Sequence, residues 1–490
     1  MSKTNKSAHA ALISGLIPIV GRAWVLDDPE ETVTYASDAL TAYRSVPDVV
    51  VLPEREDQVV AIVELCKQLN VPIVPRGAGT GLAGGVRPIA GGLVVSLARL
   101  NRIIDLDPEA GTATLEPGVR NLAISEAASP HGLFYAPDPS SQIACSIGGN
   151  VSENSGGVHC LKYGLTLHNV LKIRGVLSSG EIIEVGGESP DAPGLDLLPL
   201  IIGSEGMLLI VTEVTVRLIP KPACAKVAMA SFDSIEACAN AVAAIISAGI
   251  IPAGLEMMDQ AATRAVEDFI HAGYDTEAAA LLLVESDGTE TEVLEEMERI
   301  RQVLGGAGVR SIVVSTSEAE RQRIWSGRKN AFPAAGRVAP EYYCMDGTVP
   351  RRQMAPLLAH ISMLERQHGL RCMNVFHAGD GNMHPLILFD GKIPGEWARA
   401  EAFGNAILEK CIALGGTVTG EHGVGVEKLD SLCVQFSDEE RDVFHALKAV
   451  FDPLQILNPD KGIPTLRRCV EHGRKRMDAH SIRASGLEQF

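Results

Sequence analysis

Apolar positions change their spacing several times along the chain, and each change predicts different elements. Between Pro47 and Pro75, Val49–Leu52 and Val71–Val74 are apolar runs of strand length. Between them Val59, Val60, Ile62, Val63, Cys66 and Leu69 recur at helical spacing, which predicts a strand–helix–strand unit. Leu93–Leu97 predicts another strand. Ile103–Leu106 and Thr112–Leu115 predict a hairpin closed by Asp107-Pro108-Glu109-Ala110-Gly111. Leu208–Leu218 is again strand-like, and Pro220-Lys221-Pro222 marks a domain boundary after it. From Ala225 to about Phe332 the texture changes. Strand-like runs (Val227–Ser231, Ala279–Glu285, Ser311–Ser315) alternate with helical ones (Ile235–Ser247, Glu290–Leu304, Glu318–Lys329). That alternation predicts a two-layer α+β domain with an antiparallel sheet, ferredoxin-like in plan. Helices over Met354–His368 and Ala398–Leu414 flank an apolar hairpin, and the tail from Arg467 is polar. Near the start, Lys3 and Lys6 precede the apolar stretch Ala10–Val20. Pro18 interrupts it and no A-x-A site follows, so it reads as a first helix and not an export signal.

Composition narrows the function classes. With 46% hydrophobic and 21% charged residues over 490 positions, the chain can bury a large core in two or three domains. Sixty-one acids against 43 bases leave a net charge of −18, which argues against phosphate-driven binding to nucleic acid. The ten cysteines are scattered singly without any CxxC, so neither an iron–sulfur run nor a zinc ribbon is available. Reduced, mostly buried thiols are expected. No apolar run reaches the length of about 18 residues that spans a membrane, and the cytoplasm is the expected compartment.

The 48 glycines concentrate between Gly77 and Gly92, Gly148 and Gly206, and Gly379 and Gly425. Gly79-Thr80-Gly81-Leu82-Ala83-Gly84 matches the nominal G-x-G-x-x-G spacing. No helix survives the following Gly84, Gly85, Pro88, Gly91 and Gly92, which argues against a Rossmann site. The loop can still cradle phosphates through successive main-chain N–H groups. A plain tight turn is the competing reading. Pro137-Asp138-Pro139-Ser140-Ser141, Ser146-Ile147-Gly148-Gly149-Asn150 and Asn154-Ser155-Gly156-Gly157 add small hydroxyls, amides and glycines. A flat ring system and a diphosphate could lie against such a backbone. Gly203-Ser204-Glu205-Gly206 is the third piece.

These segments, in this order and spacing, resemble the FAD-binding domain of the vanillyl-alcohol-oxidase type. Within it they resemble the branch containing D-lactate dehydrogenases, D-2-hydroxyglutarate dehydrogenases and glycolate oxidases. The resemblance runs from about Val49 to Pro464. HCLKYGLT at 159–166, RKNAFPAAGR at 328–337 and EYYCMDGTVP at 341–350 are similar to the FAD-linked subunits of bacterial glycolate oxidases. Where relatives read GSEGTLGI, this chain departs with Met207 and Leu209 in GSEGMLLI. The resemblance implies an α+β fold: a two-part FAD-binding domain, a ferredoxin-like cap and a helical C-terminal segment. The expected division is an N-terminal helical segment (1–46), the FAD-binding domain (47–222), a substrate and metal-bearing cap (223–450), and a return to the flavin domain with a polar tail (451–490). Expected flavin contacts in the first segment are Pro75, Arg76, Gly77, Ala78, Gly79, Thr80, Gly81, Gly84 and Gly85. In the second they are Pro137, Asp138, Ser140, Ser141, Ser146, Gly148, Gly149, Asn150, Asn154, Gly156 and Gly157. Glu205, Gly206, Val211 and Asn458 complete them, although a plain Asn-Pro turn is as good a reading of Asn458. FAD is expected to be non-covalent, because the Gly77–Gly85 loop holds no His or Cys; His159 and Cys160 are the nearest exceptions.

Phe376-His377-Ala378-Gly379-Asp380-Gly381-Asn382-Met383-His384 joins two apolar runs and reads as a hairpin with one histidine on each side. If the two positions face each other, their imidazoles can share a divalent cation. Two histidines alone are as well explained by core packing. Glu421, in the glycine-flanked turn Gly420-Glu421-His422-Gly423, supplies a third ligand and makes the donor set of a Zn²⁺, Fe²⁺ or Mn²⁺ site. The resemblance implies the same three ligands, with His422 as the proton acceptor. Arg328 is the candidate for clamping a substrate carboxylate through its planar fork, against the reading of a surface arginine. Tyr342, Tyr343 and Met345 either line that pocket or belong to the core. Relatives that act on dicarboxylates carry a cation where Cys344 falls and a polar side chain where Leu386 falls, which implies a small monocarboxylate here. The expected activity is oxidation of glycolate, or of D-lactate, by hydride transfer to FAD. Electrons would pass to an iron–sulfur subunit of a glycolate oxidase complex that also holds a second FAD-domain subunit, associated peripherally with the membrane. The alternatives are a D-lactate dehydrogenase acting alone, a non-catalytic FAD-bearing scaffold subunit, or a zinc hydrolase.

Overall fold

The computed structural model describes residues 3–189, 194–465 and 468–472. Helix Glu56–Leu69 forms because Val59, Ile62, Val63 and Cys66 fall on one buried stripe, and Asn70 at φ 51° ends it. That stripe packs on Leu12, Leu16 and Val20 of helix Lys3–Val20. The expected first helix is therefore part of the core. The strands on either side of Glu56–Leu69 are not neighbours. Leu93–Ser96 lies between Val49–Val51 and Ile73–Arg76, parallel to both. The segment before residue 47 is more than helical, since Val25–Leu26 pairs antiparallel with Val50 and Val51. A strand of two residues leaves no periodicity to read.

A second sheet runs in the order Ile103–Asp107, Thr112–Leu115, Ile210–Arg217, Val170–Val176, Ile182–Gly186, all antiparallel, with the expected hairpin at one edge. The departure at Leu209 is accommodated here. Its side chain is buried against Gly175, where a Cβ would stand 2.6 Å from Leu209 Cδ1.

The third sheet carries the histidine hairpin. Its first four strands, in spatial order Ser311–Val314, Cys224–Phe232, Ala280–Gly288, Gly254–Asp259, follow the ferredoxin-like pattern. Cys372–His377, Asn382–Phe389 and Glu341–Cys344 extend it to seven strands. Both faces are covered, so the domain has three layers and not the expected two. Ile235–Ser247, Glu290–Gly306, Met354–His368 and Glu396–Ala413 pack on one face. Gln260–Ile270, Glu318–Lys329 and Ala331–Val338 pack on the other. The unbroken apolar run Ala280–Val284 reflects burial on both sides. Strand Gly254–Asp259 and helix Gln260–Ile270 escaped the sequence pattern, because Glu256 and Asp259 interrupt the strand with buried acids.

Two long-range connections position the site. Leu457 bridges Ile73, with Ile73 N donating to Ile456 O and Asn458 N to Ile73 O, both at 2.7 Å, so the late chain returns to the first glycine segment. Thr348 and Thr417 exchange two main-chain hydrogen bonds of 2.9 Å, which fixes the approach to the 420–423 turn. The expectation that every cysteine is a free thiol fails at one pair. Cys433 and Cys469 form a disulfide, their Cα atoms brought to 5.3 Å by the fold across 36 residues of sequence. The other eight are free. Of the polar tail expected from Arg467, only 468–472 fall within the described residues.

A side chain on Gly416 would collide with the Thr348 carbonyl. Gly416→Ala is expected to cost more than about 2 kcal/mol by forcing the Thr348–Thr417 bridge apart. A urea midpoint unchanged from the parent would contradict this.

Candidate active site

The first glycine segment leaves strand Ile73–Arg76 as a loop without a helix. Gly77, Ala78, Gly79, Thr80 and Gly81 line a cavity of about 180 Å³. Among the described residues, their main-chain N–H groups donate to no protein acceptor. Successive unpaired donors on a cavity wall suit an anionic group such as a diphosphate. Only glycine fits at Gly79, whose φ of 73° would drive a Cβ into the Arg76 guanidinium. Ser140, Ser141, Ser146, Gly149 and Asn150 line the same cavity. A smaller cavity of about 50 Å³ adjoins it at Gly77 and Gly149, lined by Pro75, Arg76, Gly85, Gly148, Glu205, Gly206 and Val211.

Seven other expected flavin residues line neither cavity. Gly84 N donates to Asp38 Oδ2, and the Pro137 carbonyl accepts from Asn121 Nδ2. Asp138 accepts from His159 Nδ1 at 2.7 Å and blocks any side chain at Gly157. Asn154, in the left-handed region, ends helix Ile147–Glu153 and accepts from Leu167 N. Gly156 has no room for a Cβ, which would lie 2.5 Å from Glu421 Oε2. Asn458 donates to Gly85 O and Glu205 O and accepts from Lys461, so its amide holds loops together. His159 is also tied to Glu285 at 3.2 Å, and Cys160 is buried with its thiol pushed up by burial. Neither lines the cradle cavity.

Phe332, His384, Glu421 and His422 line that same cavity. Within the hairpin, His384 pairs with Val375 and His377 with Asn382, so the two histidines are diagonal neighbours and not direct partners. The Ala378–Gly381 turn sets this register. Their rings still meet, perpendicular with centroids 5.1 Å apart. His377 Nδ1 is 2.8 Å from Glu256 Oε1, and His384 Nδ1 is 3.1 Å from the Met345 carbonyl. Both partners only accept, so each Nδ1 carries a proton, and Nε2 is the atom left to ligate a cation once it carries none. Those Nε2 atoms converge on Glu421 Oε1 at 3.3 and 3.0 Å. This is how metal-ligating histidines are oriented, and the three residues fit a divalent cation. Cys344 lies near His384 and His422, but burial raises its thiol well above the usual range, which makes it a poor ligand. Burial disfavours charge on His377, yet the Glu256 and Glu421 carboxylates outweigh it and raise its pKa well above the ordinary value. Burial likewise works against the Glu421 carboxylate, and His377 and His384 hold it well below the carboxylate range. The cluster attracts positive charge.

His422 stacks on His384, with centroids 4.9 Å apart and planes within 10°. Its Nδ1 is buried and has no hydrogen-bond partner among the described residues. The resemblance implied that His422 is the proton acceptor. Burial, helped by His384 and Lys428 against the pull of Asp346, lowers it to about 4, so the ring is neutral at ordinary pH. Arg328 differs from its expected role as an open clamp. It is 2% exposed, absent from the cavity wall, and its Nε and Nη2 both lie 2.8 Å from Glu256 Oε2. Tyr343 and Met345 are core residues, and Tyr342 faces a neighbouring cavity. Cys344 and Leu386 are buried and paired across adjacent strands.

The sequence reading missed Glu256, Asp346 and Lys428. Asp346 accepts from Thr419 Oγ1 (2.6 Å), Gly420 N (3.0 Å), Glu421 N (3.2 Å), His422 N (2.9 Å) and Lys428 Nζ (3.2 Å). An acid inside the apolar run 342–349 was the available signal. Asp346→Ala strands the Lys428 ammonium in the core and should lower stability by about 3–5 kcal/mol. Adding Lys428→Met should recover part of the loss in the same denaturation assay.

Comparison with known proteins agrees with this architecture. The family model "FAD linked oxidases, C-terminal domain" matches residues 221–462, and "FAD binding domain" matches residues 47–186. Glycolate oxidase subunit GlcD of Escherichia coli K12 is 55% identical over 95% of this chain and 93% of its own length. Its Bacillus subtilis counterpart is 41% identical over 91% and 95%. A D-lactate dehydrogenase of Anaerostipes hadrus is 33% identical over 90% and 94%. Among solved structures, substrate-bound p-cresol methylhydroxylase superposes with a TM-score of 0.78 at 18% identity, covering 94% of this chain and 98% of that one. It shares the fold. With near-complete overlap in sequence, a glycine cradle in the first domain and both family models matched in order, the chain belongs to the FAD-linked oxidases.

Proposed function

We propose that this protein oxidises a small 2-hydroxy acid, glycolate first and D-lactate second, with FAD in the glycine cradle and a divalent cation on His377, His384 and Glu421. One observation carries the reading: a single cavity is lined both by the unpaired N–H loop and by His384, Glu421 and His422. Relatives named for glycolate oxidase and D-lactate dehydrogenase support the substrate class.

FAD, when bound, supplies the acceptor for the hydride that leaves the substrate carbon. A divalent cation supplies Lewis acidity toward the substrate oxygens and eases removal of the hydroxyl proton; zinc, iron and manganese all suit this donor set. The residues do the rest. The neutral His422 imidazole, with an unpaired nitrogen, takes the hydroxyl proton as general base. Stacking on His384 and the Asp346 contacts to the turn keep that ring in place. Phe332 and Leu82 narrow the cavity and exclude water.

Electrons are proposed to leave through a separate iron–sulfur subunit, since this chain has no CxxC and its relatives are named as subunits. No helix of the described residues is long and apolar enough to cross a membrane. Residence on the cytoplasmic side, through partner subunits, is proposed on that basis. A zinc hydrolase would leave the cradle without a use, and a scaffold subunit would leave the histidine cluster without one.

Anaerobic addition of glycolate to the purified protein should bleach the flavin absorbance. A colourless protein would end the flavin reading, and a yellow one that glycolate and D-lactate fail to bleach would favour the scaffold. Acid or heat should release the flavin from the chain.

His377→Ala and His384→Ala should each abolish turnover and metal content while the protein stays yellow, because neither contributes to the N–H loop. Full activity with unchanged metal in either variant would remove the metal from the mechanism.

Substrate size gives a further test. Cys344 and Leu386 are uncharged and lie off the cavity wall, and no Lys or Arg is among the residues that line the cavity to pair with a second carboxylate. Burying that carboxylate unpaired costs several kcal/mol, so D-2-hydroxyglutarate should bleach the flavin at least about a hundredfold less efficiently than glycolate. Equal efficiency would overturn this account of the pocket.

A further inference from the structure

We infer that Glu256 is a positioning residue for the metal centre, and that Arg328 acts through it. The inference rests on the reading that His377, His384 and Glu421 hold a cation. Glu256 and His377 are direct cross-strand partners on the adjacent strands Gly254–Asp259 and Cys372–His377. The Glu256 carboxylate is 1% exposed and divided between two partners. Oε1 accepts from His377 Nδ1 and Oε2 accepts from Arg328 Nε, each at 2.8 Å; Arg328 Nη2 stands 2.8 Å from the same oxygen as an ion-pair contact, with no hydrogen bond of its own among the described residues. This bond keeps a proton on His377 Nδ1, so Nε2, which faces Glu421 at 3.3 Å, is the nitrogen from which a cation would displace a proton.

The two histidines are held differently. His384 is backed by the neutral Met345 carbonyl, whereas His377 is backed by an anion. An anion behind an imidazole raises its basicity as a ligand as well as fixing its orientation. Arg328, from helix Glu318–Lys329, pairs with Glu256 through Nε, using part of the fork that the sequence reading assigned to a substrate carboxylate. The rival account is a buried ion pair that serves the fold and leaves metal binding alone.

Substituting Glu256 alone would strand the arginine, so the test compares two double variants of the full-length, FAD-loaded protein. Glu256→Gln with Arg328→Met keeps an oxygen that accepts from His377, without a donor conflict. Glu256→Leu with Arg328→Met replaces the pair by an apolar one of similar size. Zn²⁺ affinity is read by competition with a chromophoric chelator, and flavin absorbance reports cofactor occupancy. The expected result is Zn²⁺ binding weakened about 10–100-fold in the Leu variant, with FAD retained, and a smaller loss in the Gln variant, which keeps the acceptor but not the charge. Equal affinities in the two variants would overturn the role of Glu256. A parent protein that binds no divalent cation would instead sink the metal reading itself, and this inference with it. Arg328 has its own readout. If the Gln variant keeps its metal but its KM for glycolate rises more than about tenfold, the loss expected for a charge-assisted substrate contact, Arg328 holds substrate and its place in this chain of contacts is wrong.

Discussion

Asp346 has no contact with solvent, yet it stays ionised because its oxygens are surrounded by donors. Burial works to raise its pKa, and the cationic forms of His422, Lys428 and His384 outweigh it and hold it below the ordinary range. A buried charge is tolerable only with compensation of this kind, so the interaction is all or nothing. The consequence is geometric. Gly420, Glu421 and His422 present their N–H groups to one carboxylate, which sets the orientation of both the proposed metal ligand and the proposed base. Asp346 itself follows strand Glu341–Cys344, at the edge of the seven-stranded sheet, and the turn therefore inherits the rigidity of that sheet.

The same turn is joined to the flavin half by a second buried carboxylate. Glu205, held at φ 51° in the Gly203–Gly206 turn, accepts from Val424 N and Gly425 N at 2.7 Å each. Gly423 faces the Glu153 carboxylate so closely that no side chain fits, and Gly156 leaves the same absence of space beside Glu421. Residues that read as flavin contacts thus also fit the cradle against the histidine cluster. The glycine cradle and the His–Glu cluster are packed against each other at glycines, where a Cβ at Gly156 or Gly423 would strike Glu421 or Glu153.

Much of this was legible in the order of residues. Helical stripes such as Val59, Ile62, Val63 and Cys66, and turns such as Asp107–Gly111, depend on neighbours within a few positions, so local spacing reveals them. The glycine loop was legible for the same reason: glycine and proline density alone excludes a helix and leaves main-chain donors exposed. His377, His384 and Glu421 could be nominated as ligands because their residue types and glycine-flanked turns are unusual together. The element boundaries of Ile235–Ser247, Glu318–Lys329 and Met354–His368 matched for the related reason that caps and stripes are local.

What the chain order could not contain was pairing across distance. Insertion of Leu93–Ser96 between two strands that precede it, the third layer on the cap sheet, and the Cys433–Cys469 bond are decided by which surfaces bury each other. Glu256 and Asp346 look like interruptions of apolar strands in sequence, because their compensating partners are dozens of residues away. Arg328 shows the limit most clearly. The sequence nominated a forked cation, and only the fold showed that its Nε donates to Glu256 at 2.8 Å, because that carboxylate comes from a strand 72 residues earlier.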